Sequence, residues 1–423
     1  KIVHFLMESE IPKFLIVSYY FPPFKRVGGR RWAKHAKFFN KKGIDFKVLT
    51  GRYDGDSPWD SDIAEFKNKI ERVELVIPKI PYHNRVIPTL FIGKLRWRLS
   101  KKYWKLRNNL KYGNHYDVSG ASVKNFSRAA SKIIKKDKIN IVLLSVGPFR
   151  YSKIIISLKK EFPDVKFVLD YRDGWGDGPS RLSQRKQHQE LKLEKKILDA
   201  VDACFAVNGD IINHLKSKNK SIKTFVVPHC VDEEYLNIKS AEVVSSALNS
   251  MNIVYGGQLY EGMDHEIENF VKFVNLYNKT VEKNISARLY VPYLSYKKLL
   301  NKSNDIELHQ MLKYDSYVDV LMKSDCIVLF RPAWSKNAFS SKFFEIICTG
   351  KPILYFGGQG KVSEFLVKNN LGIHIENIQS DTIDKFKLKI DDSSFPNTSY
   401  NFEQHSFRRE TDKILNILQE LLN

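Results

Sequence analysis

Short apolar runs alternate with amphipathic stretches of helical length along the chain, and this alternation restricts its fold more than any other feature. The apolar runs hold four to eight residues and are rich in β-branched and aromatic side chains. Such alternation is typical of βαβ units, in which helices join parallel strands. The pattern occupies residues 13–229 and restarts at residue 252. We therefore predict an α/β protein with two Rossmann-like domains that face a central ligand cleft.

The predicted strands define two domains. Residues 237–250, NIKSAEVVSSALNS, are small and polar and are expected to form a linker. The domains are therefore placed at residues 1–236 and 245–400, with residues 401–423 forming a helix that crosses back to the first domain. The predicted strands are 13–19, 45–50, 73–78, 139–146, 166–172, 201–207 and 224–229 in the first domain, and 252–257, 287–292, 325–330, 352–356 and 372–375 in the second.

The positive charge is concentrated in the first half of the chain. Residues 1–200 hold 43 Lys and Arg against 20 Asp and Glu, a net charge of +23, whereas residues 201–423 have a net charge of −1. A single basic domain of this kind permits nucleic-acid binding, although no nucleic-acid-binding motif is present. No run of 18 or more uncharged apolar residues occurs, and we expect a cytoplasmic protein. The four cysteines lack metal-ligand spacing and are expected to be reduced and buried.

Glycine pairs follow several predicted strands. Gly28 and Gly29 come after the first strand and before a helix rich in Arg and Lys, and Gly256 and Gly257 follow the first strand of the second domain. Backbone amides at such a turn can hold a phosphate, and tight-turn formation is the alternative explanation. The pair Asp54 and Asp56 resembles a metal-binding DxD, but it lies in a polar loop and is interpreted as a solvated turn. No metal site is predicted.

The stretch AFSSKFFEIICTGKPILYFGG predicts a short helix over residues 341–349. Ser340 or Ser341 is suited to cap its first turn, and Gly350 ends it. Lys342 and Glu345 then lie one turn apart on one face. A surface ion pair is one interpretation. A bound anion is the other, because a cation at a helix N-terminus is otherwise disfavoured by the helix dipole.

Four segments together resemble the retaining GT-B glycosyltransferases of the family-4 type, in particular the bacterial polysaccharide and lipid-linked sugar branch. The segment SYYFPPFKRVGGRRWAKHAKFF is similar to the opening strand, PP-x-GG loop and helix of that family, and LDYRDGWGD is similar to its RD-x-W element. VVPHCVD resembles its P-x-GVD element, and SSKFFEIICTGKPIL resembles its nucleotide-sugar site. The four occur in the family's order and are distributed along most of the chain.

This resemblance implies a donor site and candidate catalytic residues. Glu345 would accept hydrogen bonds from the ribose of the donor, while Ser340, Ser341 and Lys342 would bind its diphosphate. Gly28, Gly29 and Gly257 would approach the same diphosphate.

The chain departs from the family pattern at two of these motifs. Ala338 stands where the family has the first acid of its E-x7-E motif, and Arg172 stands where many members have a histidine. Gln258 and Glu261 stand where basic residues of the family's diphosphate clamp are common, so Arg331 is our candidate for a second diphosphate cation, with a surface cation as the alternative. Arg172, Asp170 and Asp173 are the catalytic candidates, and a capping role for the two aspartates is the alternative.

The segment formed by residues 91–113 holds eight Lys and Arg and no Asp or Glu. On a helical projection, Leu95, Leu99, Tyr103, Leu106 and Leu110 form one stripe, which we expect to pack on the core. Trp97 and Trp104 lie on the opposite side beside Lys101 and Arg107, so we predict that these four contact an anionic membrane surface. Packing of the tryptophans beneath a neighbouring loop is the alternative.

These observations predict a glycosyltransferase that moves a hexose from a UDP- or GDP-linked sugar to a glycan or lipid-linked acceptor. The enzyme would act at the cytoplasmic face of the inner membrane, with retention as the resemblance implies, and would need no metal or other cofactor. No nucleic-acid partner is expected. Two alternatives remain open: a nucleic-acid-binding protein without transferase activity, and a sugar-nucleotide epimerase or hydrolase with the same fold.

Overall fold

The computed structural model describes residues 12–25, 27–77, 91–113, 117–175, 183–232, 250–282, 284–292 and 296–423. Contacts between residues divide the chain into two compact units. The first consists of Lys1–Pro228 with Glu410–Asn423, and the second of His229–Arg409. The predicted linker lies outside the described residues except for Ser250, which begins a strand.

The first unit contains a seven-stranded sheet in which every neighbouring pair of strands is parallel. The strand order is β3-β2-β1-β4-β5-β6-β7, so the chain reverses direction across the sheet between β1 and β4. The strands are β1 Lys13–Ser18, β2 Asp45–Gly51, β3 Ile70–Val73, β4 Ile141–Val146, β5 Lys166–Tyr171, β6 Ala203–Ala206 and β7 Lys223–Val226.

Helices cover both faces of this sheet, as the uninterrupted burial of its strands requires. Phe14, Leu15, Ile16 and Val17 of β1 are all fully buried. The helices of this unit are α1 Arg30–Lys41, α2 Phe91–Tyr112, α3 Val123–Asp137, α4 Ile154–Glu161, α5 Gln184–Leu198 and α6 Gly209–Lys218.

The second unit contains a six-stranded parallel sheet with the order β10-β9-β8-β11-β12-β13. The order in which the chain adds strands reverses between β8 and β11. The strands are β8 Ser250–Gly256, β9 Asn284–Val291, β10 Ile306–Gln310, β11 Cys326–Arg331, β12 Ile353–Gly357 and β13 Gly372–Ile375. The helices are α7 Asp264–Thr280, α8 Lys297–Leu300, α9 Tyr314–Met322, α10 Ser341–Ile347, α11 Lys361–Lys368 and α12 Thr382–Asp391. The predicted α/β fold with two Rossmann-like domains is confirmed.

The last helix, α13 Phe407–Leu422, packs on the first unit. Ile414 and Leu418 are fully buried in the cluster that also contains Phe14 and Phe46. The hydroxyl of Thr411 lies 2.8 Å from Nδ1 of His35 in α1. The terminal helix thus completes one face of the sheet that the beginning of the chain forms.

Beyond shifts of up to three residues at strand ends, two strands differ from the prediction. The third strand occupies Ile70–Val73 rather than 73–78, because its partner β2 ends at Gly51, opposite Val73. Beyond that point no backbone of β2 remains to pair with, and Ile77 is exposed. The strand β10 was not predicted. It lies at the sheet edge, and its sequence IELHQ contains only two apolar residues.

The four cysteines are buried and free, as predicted. Within the described ranges, no group of three or more His, Cys, Asp or Glu side chains is arranged to hold a metal ion. None of the helices in the described part of the chain has the length and apolar character needed to cross a membrane.

Candidate functional site

The short helix α10 begins at Ser341, as the sequence predicts, and ends at Ile347, two residues earlier than expected. Ser340 is its N-cap, and the Ser340 hydroxyl accepts a hydrogen bond of 3.2 Å from the backbone N–H of Phe343. Phe343 and Ile346 are buried, which fixes the orientation of the helix. The partly buried Lys342 and Glu345 occupy the remaining face.

The Lys342 side chain reaches the end of strand β8. Its ammonium lies 5.5 Å from the ring centroid of Tyr255. It also occupies the space beside Gly257, where a Cβ atom would overlap it. Gly257 has φ +150°, a conformation that side chains disfavour, and its N–H donates to the carbonyl of Tyr290 at 2.9 Å. The glycine therefore provides both the backbone conformation and the space that Lys342 requires.

Burial lowers the pKa of Lys342 to about 8. The carboxylate of Glu345 opposes this shift, whereas the nearby Arg331 guanidinium reinforces it. Two cations thus lie close together in a partly desolvated environment. Such an arrangement is unfavourable in isolation and becomes favourable when an anion is bound between or beside them.

Arg331 is the last residue of strand β11. Its Nη1 donates to the hydroxyl of Ser335 at 3.1 Å. Its Nε and Nη2 are buried, and neither has a hydrogen-bond partner in the part of the chain that the structure describes. Burial lowers the pKa of this side chain, although the neighbouring Tyr355 and Tyr255 oppose the effect. Buried guanidinium donors are rarely left unsatisfied, so Arg331 has capacity for an anionic ligand.

Three tyrosines that were not predicted from the sequence surround these cations. Tyr255 and Tyr355 lie one and two residues before the ends of β8 and β12. Each hydroxyl donates to a carbonyl three residues further on, Tyr255 to Gln258 at 2.9 Å and Tyr355 to Gly358 at 3.3 Å. Burial, Glu345 and Tyr255 raise the pKa of Tyr317. The repeated signal is a tyrosine shortly before a glycine pair, in YGG and YFGG.

All of these groups lie at the carboxyl ends of β8, β11 and β12, where the order of the second sheet reverses. In open α/β sheets this is the place where ligands bind. Gly257, Arg331, Lys342 and Glu345, which were predicted from the sequence, are therefore brought together within the second unit. Gly28 and Gly29 belong to the first unit.

In the first unit, Arg172 follows β5 and connects the loops that follow β1 and β4. Its Nη1 donates to the carbonyl of Gly28, and its Nη2 donates to the carbonyl of Gly147 at 3.1 Å. A Cβ at Gly28 would lie 2.7 Å from Nη1. Nε is buried and has no hydrogen-bond partner among the described residues. Arg172 therefore holds together two loops at the point where the order of the first sheet reverses.

Asp170 is fully buried and already surrounded by donors. Arg31 binds both of its oxygens at 3.2 Å, and the indole N–H of Trp32 donates to one of them at 2.7 Å. Arg31 also donates at 2.7 Å to the carbonyls of Val227 and Pro228. This network joins α1, β5 and the segment after β7.

The other two predicted residues of this region differ from Asp170 in their surroundings. Asp173 is exposed. Gly29 packs against the backbone of Phe21, where a Cβ would approach to 3.2 Å.

Helix α2 exposes to solvent the face that we predicted to pack on the core. The stripe expected to pack on the core is exposed: 58% of Leu99 and 79% of Leu110 are accessible to solvent. The opposite face is the inner one, because Asn108 is fully buried and Trp97 and Trp104 are partly buried. The cations chosen with the tryptophans do pair with them: Lys101 lies 4.9 Å from the Trp97 ring and Arg107 lies 4.8 Å from the Trp104 ring.

No protein-family profile matches the chain, and no curated protein matches its sequence. Solved structures do match over almost the whole chain. The UDP-forming α,α-trehalose-phosphate synthase of Burkholderia xenovorans has a TM-score of 0.59 and 10% identity, with 97% of this chain and 100% of that chain covered. Sucrose-phosphate synthase of Thermosynechococcus elongatus has a TM-score of 0.57 and 12% identity, with coverage of 97% and 99%. A Listeria monocytogenes protein assigned as a UDP-N-acetylglucosamine 2-epimerase has a TM-score of 0.53 and 12% identity, with coverage of 97% and 96%. At these identities the similarity concerns the fold, and the fold that this chain shares with them is GT-B.

Proposed function

We propose that the protein is a glycosyltransferase that moves a hexose from a UDP- or GDP-linked sugar to a glycan or lipid-linked acceptor. The observation that carries this proposal is the group formed by Lys342, Arg331 and Glu345 at the switch point of the second sheet. Two cations with capacity for an anion, and a carboxylate one turn away, suit a diphosphate joined to a ribose. The named functions of structurally similar proteins, a UDP-forming synthase among them, agree with a nucleotide-sugar substrate.

The reaction requires charge stabilisation more than acid–base chemistry. The bond between the sugar C1 and the diphosphate oxygen breaks, and a bond from the acceptor hydroxyl oxygen to C1 forms. Negative charge develops on the departing diphosphate, where Lys342 and Arg331 would stabilise it without a metal ion. The acceptor hydroxyl loses its proton as it attacks. We propose that the exposed carboxylate of Asp173, rather than the fully occupied Asp170, positions the acceptor hydroxyl and accepts this proton. Retention at C1 and action at the cytoplasmic membrane face are part of the same proposal.

A nucleotide-binding experiment tests the donor site. Thermal melting is measured with a panel of UDP, GDP, ADP and dTDP sugars, and we expect a UDP or GDP sugar to raise the melting temperature. A ligand at about 100 times its Kd adds ~2.7 kcal/mol to the free energy of unfolding, which is easily measured. Lys342→Met should abolish the increase. Lys351→Met is the matched control, because Lys351 is a partly buried lysine of the same unit at the opposite ends of the strands.

Two results would contradict the proposal: no nucleotide sugar raises the melting temperature, or Lys342→Met responds like the parent.

The second candidate function is epimerisation, which the structural similarity to the Listeria monocytogenes protein favours. An epimerase would convert the nucleotide sugar into an isomer without an acceptor. A transferase would release the nucleoside diphosphate and would do so faster when the acceptor is present.

A further inference from the structure

Helix α2 carries a continuous apolar stripe on its outer face. The side chains in the stripe are between 49% and 82% exposed, and a shallow groove lined by Tyr103, Leu106 and Leu110 runs along part of it. Soluble proteins rarely leave so extended an apolar surface in water unless something binds there. The exposed residues are Phe91, Ile92, Leu95, Leu99, Tyr103, Leu106 and Leu110.

Cations flank both edges of this stripe. At about 100° per residue, Arg96 and Arg107 lie along one edge, while Arg98 and Lys102 lie along the other. All but Arg107, which is partly buried, are exposed. Because residues 91–113 include no Asp or Glu, nothing within the helix offsets their charge. An apolar stripe with a cationic border on each side is the pattern of a helix that lies in the interface of an anionic membrane.

The inner face of the helix is already in use. Asn108 is fully buried, and Trp97 and Trp104 are partly buried, each beside its own cation. Rotating the helix to cover its leucines would expose both tryptophans and leave the cations no better neutralised. The stripe is therefore the surface that α2 offers to an external partner.

Charge decides between the possible partners. A second copy of the chain would bring the eight Lys and Arg of its own α2 against the first eight, with no acid in either helix to compensate. A protein partner would have to supply acidic groups along both edges of a helix of 22 residues. An anionic lipid surface supplies apolar depth and continuous negative charge together.

We propose that α2 inserts its leucine stripe into an anionic lipid surface, with the flanking cations at the level of the headgroups. The tryptophans that were selected from the sequence remain on the protein side. This inference deepens the membrane part of the proposed function and rests on that proposal only for the acceptor, because lipid binding can be measured without any transfer reaction.

Sedimentation with vesicles tests the stripe on the full chain. The probes are vesicles of phosphatidylglycerol mixed with phosphatidylcholine, and vesicles of phosphatidylcholine alone. We expect the parent to sediment with the anionic vesicles. Leu99→Gln combined with Leu106→Gln should reduce this partitioning at least about tenfold, because two large apolar side chains lose their burial in lipid. Glutamine keeps the helix propensity close to that of leucine. Leu388→Gln is the matched control, an exposed leucine of the second unit.

A second variant separates charge from apolar insertion. Arg98→Gln combined with Lys102→Gln should reduce the preference for anionic over neutral vesicles and weaken the dependence on salt. Added duplex DNA should not displace the parent from the vesicles at moderate salt. The nucleotide-dependent melting shift, measured on the same samples, should be unchanged in all of these variants.

The inference is overturned if the variant with Leu99→Gln and Leu106→Gln sediments with anionic vesicles as the parent does. It is also overturned if the parent does not bind anionic vesicles. A dimer that the leucine pair disrupts, without vesicle binding, would assign the stripe to a second copy instead. Displacement by duplex DNA would assign the helix to nucleic acid. If the parent does not bind anionic vesicles but its melting temperature still rises with a nucleotide sugar, only the lipid contact is contradicted. If it binds the vesicles but shows no nucleotide-dependent melting shift, only the donor site is contradicted.

Discussion

At the scale of single residues, Lys342 has the most informative electrostatic environment. It is a partly buried ammonium beside the Arg331 guanidinium, and its pKa is lowered to about 8. A protein gains nothing in stability from such a cation, because burial and a like charge both disfavour the protonated form. The arrangement is understandable if an anion occupies the site during the working cycle.

This pKa predicts how nucleotide binding depends on pH. Below pH 8 Lys342 is protonated and can bind the diphosphate; above pH 8 it is increasingly neutral, so affinity should fall as the pH rises. Linkage to one proton limits the fall to about tenfold per pH unit. Calorimetric titration of a UDP sugar between pH 7 and pH 9.5 measures it. Lys342→Arg should give a flat profile, because arginine stays protonated. An unchanged slope in that variant would contradict the assignment.

The sequence indicated the charged residues of the proposed donor site but not the residues that surround them. The spacing of Lys342 and Glu345 within an otherwise apolar helix left a surface ion pair as the alternative, and only the family resemblance implied a role in donor binding. Tyr317 was not predicted, because it comes from α9 and reaches the site only through the packing of that helix beside β8, where it takes the space next to Gly256. Asp170 had a suitable position in the sequence, but its two partners, Arg31 and Trp32, lie about 140 residues away. Contacts over such distances depend on the tertiary fold.

At the scale of elements, the loop after β8 is adapted to Lys342 in a testable way. Gly257 has φ +150°, and a Cβ there would overlap the Lys342 ammonium. Gly257→Ala should therefore displace Lys342, abolish the nucleotide-dependent melting shift and destabilise the protein by about 1–3 kcal/mol. Thermal melting with and without a UDP sugar measures both effects.

A second glycine of the same loop provides the control for Gly257→Ala. Gly262 has φ +89°, but a Cβ there would meet nothing within 4 Å. Gly262→Ala should carry a similar backbone cost and leave nucleotide binding intact. If both variants lose the nucleotide response, backbone strain alone explains the result and the steric role of Gly257 is wrong.

Helix α2 marks the limit of prediction for an element. Its division into an apolar and a polar face follows from periodicity, and the structure agrees with that division. Which face points inward does not follow, because the usual rule assumes that water is the only alternative to the core. Asn108 and the two tryptophans occupy the inner face despite their polar atoms. This orientation agrees with the lipid contact that we propose for the outer face.

At the scale of the whole molecule, the first unit is assembled from both ends of the chain. Two parallel sheets could be predicted from the alternation of apolar runs, because each buried strand leaves a continuous apolar segment. The edge strand β10 could not be predicted in the same way, since a strand with one free side needs few apolar residues. The packing of α13 depends on a face of the first sheet that α1 covers only in part. The amphipathic pattern of the C-terminal residues indicates a helix, and its return to the first domain was predicted, but the side chains that it contacts there were not.

Removing the contacts of α13 should therefore destabilise the first unit selectively. Leu418 is fully buried in the cluster with Phe14 and Phe46, so Leu418→Ala should lower the free energy of unfolding by about 2–5 kcal/mol. Leu388→Ala is the control, because Leu388 is 74% exposed and its loss should change stability by less than about 0.5 kcal/mol. Urea unfolding measures the change in the free energy of unfolding. Amide hydrogen exchange of the folded protein then shows which unit is destabilised. Loss of protection in the strands of the first sheet, with those of the second sheet still protected, is the expected result; equal loss in both sheets would contradict the independent stability of the two units.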